Sequence, residues 1–224
     1  MTNFSSAADD SSNYDLPQFE TRLRRARLGL GVGVVGIVMV FVSFASAYVV
    51  RQGLPTLDPS TNTLVHDWFP LPLPWLLFFN TGVLLISSLT MELARREVAR
   101  NIAPARVVSI PVVSAVQERT IFWLAFTLLL GLAFLRGQWI VWRELAASGF
   151  YVATFPSSSF VYLLTGMHSL HLLGGVLALL VAASASLLPG PVESRVVVVD
   201  VTGWYWHFMA LLWVCILCLL TFLR

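Results

Sequence analysis

Hydrophobic positions in this chain come in long runs, not in the 3.6-residue or alternating periods of half-buried surface elements. After a leading segment rich in Ser, Asn and Asp, an uncharged run extends from Leu28 to Val50. At 1.5 Å per residue those positions span roughly 34 Å as a helix, enough for a hydrocarbon core of about 30 Å. Four further runs follow, Trp75–Leu93, Thr120–Trp142, Phe160–Leu187 and Gly203–Leu223. Pro72 and Pro74 lead into the second, as suits a first helical turn where an N–H is unsatisfied anyway. The pattern predicts an all-α polytopic membrane protein with five transmembrane helices, at about 28–50, 75–93, 120–142, 160–187 and 203–223. These make up a membrane domain over 28–224, preceded by a polar, disordered cytoplasmic tail over 1–27. Ala45-Ser46-Ala47 has the form of a signal-peptide cleavage site. However, cleavable apolar regions run only about 7–15 residues, so a retained helix is expected.

Composition agrees. The chain of 224 residues is 57% hydrophobic and 12% charged, about half the charge of an ordinary soluble domain. The net charge of +2 is too small to suggest a nucleic-acid partner. All the basic side chains are arginines, and their placement sets an expected orientation. Arg22, Arg24, Arg25, Arg27, Arg95, Arg96, Arg100, Arg106, Arg119 and Arg195 fall on one side, and Arg51, Arg143 and Arg224 on the other. That bias predicts a cytoplasmic N-terminus and an outside C-terminus. Arg136 lies near the outer end of the third helix and is expected to snorkel to the interface. The outer loop at 51–70, with Asp58, His66, Asp67 and Trp68, either meets a partner or lies on the membrane surface.

Polar side chains inside lipid must find partners. The candidates are Asn80, Thr81, Ser87, Ser88, His168, His171 and His207. A two-haem cytochrome wants two histidine pairs on facing helices. Here only one axial pair is available, from His207 with His168 or His171, and a catalytic zinc would want three ligands. The expected reading is that these histidines hydrogen-bond between helices. Glu92 is expected to pair with Arg96 one turn on. Cys215 and Cys218 read as small apolar packing residues. Gly29, Gly31, Gly33 and Gly36, with Ala45, Ser46 and Ala47, suit close packing on a neighbouring helix of this or another chain. A transporter would want a buried charge or a broken helix, and neither is evident.

Two phrases carry a resemblance. Thr165-Gly-Met-His168-Ser-Leu-His171, followed by Gly174-Gly175, resembles the "T-G-F-H-G-L-H-V…G" segment of subunit III of haem–copper oxidases (cytochrome c oxidases). Trp204-Tyr205-Trp206-His207-Phe208, with Trp213, resembles the "W-Y-W-H-F-V-D-V-V-W" of that family's last helix. Asn80-Thr81 followed by Ser87-Ser88-Leu89-Thr90 is similar to its "L-N-T…S-S…T" helix, and Phe41 through Arg51 to its "F-F-A…A-A-Y" stretch. Five helices match the short bacterial form.

The resemblance implies a non-catalytic subunit in a bacterial cytoplasmic membrane, stabilising the catalytic subunit I beside subunit II and binding phospholipid. It implies no cofactor on this chain, with haem and copper in the partner subunits, and oxygen reduction with proton pumping as the work of the complex. His168, His171 and His207 would be interhelical hydrogen-bonding residues, Trp204 and Trp206 inner-side belt anchors, and Trp213, Asn80 and Arg136 further structural or lipid-contact residues. Three carboxylates of the family pattern are replaced, by Ile37, Val141 and Ala210, so proton carriage by this chain itself is not implied. An accessory protein of nitric-oxide reductase shares the same phrases, and a b-type haem membrane cytochrome is the alternative of a different class.

Overall fold

A computed structural model describes residues 5–57, 62–65, 68, 73–100, 112–152, 154–187 and 192–222. Its elements are α1 (Ser5–Gly53), β1 (Thr56–Leu57), β2 (Leu64–Val65), α2 (Trp75–Arg100), α3 (Val112–Ala147), α4 (Pro156–Leu187) and α5 (Val192–Phe222). Among the described residues, all five helices are long and apolar enough to cross a membrane, and the chain is a multi-pass membrane protein. The strands are a two-residue antiparallel ladder in the α1–α2 connection, Thr56 opposite Val65 and Leu57 opposite Leu64.

Every helix outruns its expected apolar stretch at one end or both, and on α2 and α3 the added turns carry arginine and glutamate, which are good helix formers. The largest extension is at the start: residues 5–27, expected to be an unstructured tail, are the leading part of α1. Similarly, α5 begins at Val192, eleven residues before the expected Gly203. α3 ends in a Schellman cap. Gly149, at φ +86°, takes the left-handed position, and the Phe150 N–H closes on the Leu145 carbonyl at 3.0 Å.

Helices α2, α3, α4 and α5 form a ring in which each packs on two neighbours, and α1 lies outside against α4 and α5. Buried positions recur three and four residues apart around the ring. On α2 they are Leu77, Asn80, Leu84, Ser87, Met91, Ala94 and Val98. On α3 they include Leu124, Thr127, Phe134, Gln138, Val141 and Leu145, and on α4 Val161, Thr165, His168, Leu172, Val176 and Leu179. This seven-residue repeat is the seam of left-handed bundle packing.

One indole fills the ring's axis. Trp206 on α5 is wholly buried, and the two glycines facing it make room. A Cβ on Gly131 of α3 would stand 2.8 Å from the Trp206 ring, and one on Gly175 of α4 would stand 3.1 Å from it. Gly137 of α3 is tighter still, since a Cβ there would overlap the Asn80 carboxamide.

α1 is held differently. Of its described side chains only Phe41 and Tyr48 are buried, Phe41 beside the His171 ring at 5.8 Å and Tyr48 edge-on to Trp68 at 5.0 Å. Trp68 therefore packs back on its own chain, while Asp58, His66 and Asp67 lie outside the described residues. A Cβ at Gly29, Gly31, Gly33 or Gly36 would meet nothing within 4 Å, so these glycines mediate no close packing within this chain. Cys215 and Cys218 are exposed on the bundle's outer face, not packed inside it as expected.

The two kinds of glycine predict opposite effects. Gly131→Val forces the Trp206 ring aside and lowers unfolding stability by about 1–3 kcal/mol. Gly29→Ala leaves the isolated chain unchanged or slightly more stable, because alanine is the better helix former. Unfolding of the purified chain in mixed micelles checks both.

Candidate functional site

Most described side-chain hydrogen bonds between helices involve α2. Asn80 donates from Nδ2 to the Phe134 carbonyl of α3 at 3.3 Å. Thr81 Oγ1 accepts the Trp213 indole N–H at 2.9 Å and donates to the Leu77 carbonyl at 2.9 Å. Ser87 Oγ accepts the Trp206 indole N–H at 3.0 Å and donates across to the Thr127 carbonyl at 3.3 Å. The Thr90 and Thr127 hydroxyls lie 2.8 Å apart. Between α3 and α4, Thr165 Oγ1 accepts from Trp142 at 3.0 Å and donates to the Val161 carbonyl at 2.7 Å. One device thus recurs three times: an indole N–H meets a hydroxyl, which passes its own hydrogen to a helix carbonyl. It satisfies an indole buried in lipid, where an unpaired donor is expensive.

Toward the α2 C-terminus the stripe becomes ionic. His207 Nε2 lies 3.4 Å from Glu92 and its Nδ1 lies 2.6 Å from Ser88 Oγ. A carboxylate only accepts, which assigns the ring hydrogen to Nε2 and makes Nδ1 the acceptor of the Ser88 hydroxyl. Glu92 also takes Arg95 and Arg96, each at 2.8 Å. Arg95 reaches Asp200 of α5 at 3.2 Å, and Asp200 takes Arg27 of α1 at 2.8 Å. Arg95 also lies over the Trp204 ring, 5.4 Å from its centroid. The knot joins α1, α2 and α5 at one end of the bundle.

The residues expected to matter fall into different environments. His207 bonds between helices. The His171 ring does not; its Nδ1–H donates to the Met167 carbonyl of its own helix at 2.7 Å, while its backbone carbonyl accepts from Tyr205 of α5 at 2.8 Å. The His168 ring makes no hydrogen bond to a described residue. It is fully buried, with its ring 4.8 Å from Trp213 and 5.8 Å from Phe134. Trp204 is half exposed, as an interfacial anchor would be, but Trp206 is interior and anchors no belt. Trp213 is buried, and Arg136 is exposed on α3. Glu92 does pair with Arg96, and with Arg95 as well.

Sequence reading missed Asp200, Arg27, Thr127 and the Trp142–Thr165 pair. Asp200 is the one of these with a visible signal, a lone carboxylate at the start of an apolar run. Among the described residues no three His, Cys, Asp or Glu side chains cluster as a metal site requires.

No family model matches the chain. Curated relatives do. A "Probable cytochrome c oxidase subunit 3" of Mycobacterium tuberculosis is 34% identical over 106 residues, 46% of this chain and 50% of that protein. The "Cytochrome bo(3) ubiquinol oxidase subunit 3" of Pseudomonas aeruginosa is 28% identical over 178 residues, 80% of this chain and 75% of the relative. The "Cytochrome c oxidase subunit 3" of Danio rerio is 27% identical over 195 residues, covering 84% and 65%.

The chain is a homologue of cytochrome oxidase subunit 3 proteins.

The matched part spans about half the length of the mycobacterial relatives. The homology covers bacterial and eukaryotic oxidases, including one named for quinol and others for cytochrome c.

The ionic knot makes a prediction that the apolar seam does not. Asp200→Ala removes the acceptor shared by Arg27 and Arg95 and leaves the Trp206 contacts in place. Amide hydrogen exchange should rise across residues 19–30 of α1 while the buried turns of α3 and α4 stay protected. Equal protection of α1 in both proteins would show that Phe41 and Tyr48 suffice to hold it.

Proposed function

We propose that this chain is the non-catalytic third subunit of a proton-pumping haem–copper terminal oxidase, in a bacterial cytoplasmic membrane with its N-terminus inside. The observation that carries the reading is how its intramembrane polar groups are used. The oxidase-like phrases on α2 and α5 bond to each other, Ser88 to His207 and Ser87 to Trp206. Such groups hold helices in register, the work of a structural subunit. On this reading oxygen reduction, with the haem and copper it needs, is the work of neighbouring chains, the catalytic subunit I and subunit II. The contribution of this chain is to stabilise the catalytic subunit and to bind phospholipid against its exposed apolar helix faces. Relatives named as oxidase third subunits support this over the nitric-oxide-reductase and b-type haem readings.

A tag on this chain tests the proposal. The assembly captured in mild detergent should show haem in its reduced-minus-oxidised visible spectrum, and the haem should leave with the partners when they are stripped away. Haem that stays with the stripped chain would overturn the proposal in favour of a cytochrome. A second prediction concerns His207, which joins α5 to both Ser88 and Glu92. His207→Ala should lower recovery of the catalytic subunit several-fold while the recovered complex keeps its haem content per catalytic subunit. Unchanged co-purification would contradict it.

A further inference from the structure

Among the described residues, three buried polar side chains have no hydrogen-bond partner: Ser157 in the first turn of α4, and two deep inside the bundle. Gln138 of α3 and His168 of α4 are 1% and 0% exposed, and both polar atoms of each lack a hydrogen bond. Each lies more than two turns inside its membrane-spanning segment. Native interiors rarely leave such atoms unsatisfied, and lipid offers them nothing.

The two belong to one place. Contacts between α3 and α4 are made by Trp142 with Thr165 and by Phe134 with His168. Gln138 stands one turn from both Phe134 and Trp142, on the same buried stripe of α3, so it falls between those contacts. On α4, His168 is three residues from Thr165 on the face turned to α3. That register places both residues on the α3–α4 seam at neighbouring levels, on opposite helices, and they do not bond each other.

We infer that a single water molecule is bound in this layer, bridging the Gln138 carboxamide and the His168 imidazole. The chemistry is complementary. A neutral imidazole has one donor and one acceptor, and a carboxamide has two donors and an accepting oxygen. A water can donate to the imidazole's bare nitrogen and to the carboxamide oxygen while accepting an N–H from either. Internal waters typically make about three hydrogen bonds of this kind. Burial narrows the choice of ligand, since a lipid headgroup, ion-carrying solute or partner side chain cannot reach groups with essentially no exposed surface. The His168 ring also packs against Trp213, which fixes the direction in which its nitrogens point. This inference does not depend on the proposed function.

The test uses the full chain in lipid bilayers with histidine ring nitrogens labelled with 15N, and the spectrum is edited for magnetisation that originates on water. His168→Phe identifies the His168 signals by their loss. Transfer from water to the His168 ring is expected in the wild-type chain, falling at least several-fold in Gln138→Met, which keeps side-chain volume and removes the bridge. Absence of transfer in the wild-type chain overturns the inference, as does transfer that Gln138→Met leaves unchanged. Thermal unfolding gives an independent readout. Gln138→Met should lower the midpoint by about 2–4 °C if it strands a bridged histidine. A raised midpoint would mean that the carboxamide was an unpaired burden, and would overturn the inference. If Gln138→Met does not fold, the wild-type spectrum decides alone.

Discussion

The bundle depends on one interaction: the Trp206 indole must occupy the axis of a four-helix ring while its N–H is satisfied. The ring atoms demand space, which Gly131 and Gly175 supply by having no side chain. The N–H demands an acceptor, which Ser87 supplies from α2. Residues on three helices are therefore fixed by one side chain on the fourth. Small residues at helix contacts and polar groups that bond between helices are the usual means of association in lipid, where burying apolar surface provides no net drive. Trp206 combines both at a single position.

The same logic extends along α2. At the middle of the helix its Asn, Thr and Ser side chains take neutral donors and reach neutral acceptors. Toward Arg100 the stripe changes to Glu92, Arg95 and Arg96, tied to His207 and Asp200. Neutral bonds are the economical solution deep in the bilayer, whereas charges are tolerated where they can pair and approach water. Apart from Arg96, which pairs with Glu92 of its own helix, these groups hold helices together. A subunit built this way suits the role of a scaffold to a catalytic neighbour, with α1, held by the Arg27–Asp200 pair and the aromatic contacts of Phe41 and Tyr48, as its least committed element.

The spans were legible in the sequence because charge is scarce between Leu28 and Val50 and in the four later runs, and length alone then decides. The direction each helix faces was not legible from hydrophobicity. Leu85 and Leu89 face outward while Leu84 and Met91 face inward, and the two pairs are equally apolar. In lipid the polar residues mark the interior, so Asn80, Thr81, Ser87, Ser88 and His207 stand out in the sequence, and each is hydrogen-bonded to another helix. Trp206 was misplaced because a tryptophan near a helix entrance resembles an interfacial anchor, and only the facing glycines on other helices reveal the slot. The Arg27–Asp200 pair was invisible for another reason: its members are 173 positions apart and no local spacing joins them. His168 and His171 read alike on one helix, yet the His171 ring bonds to its own helix and the His168 ring to no described residue, a difference set by what the neighbouring helices present.

The axial role of Trp206 is tested most directly by a double-mutant cycle between Gly131→Val and Trp206→Phe, read from unfolding of the full chain in mixed micelles. If one indole fills the space between the helices, the smaller ring accommodates the added side chain. The double variant should then be more stable than the sum of the single effects by about 0.5–3 kcal/mol, the range for residues in contact. Additive effects would contradict the account, because they would mean that the two positions do not share the axis.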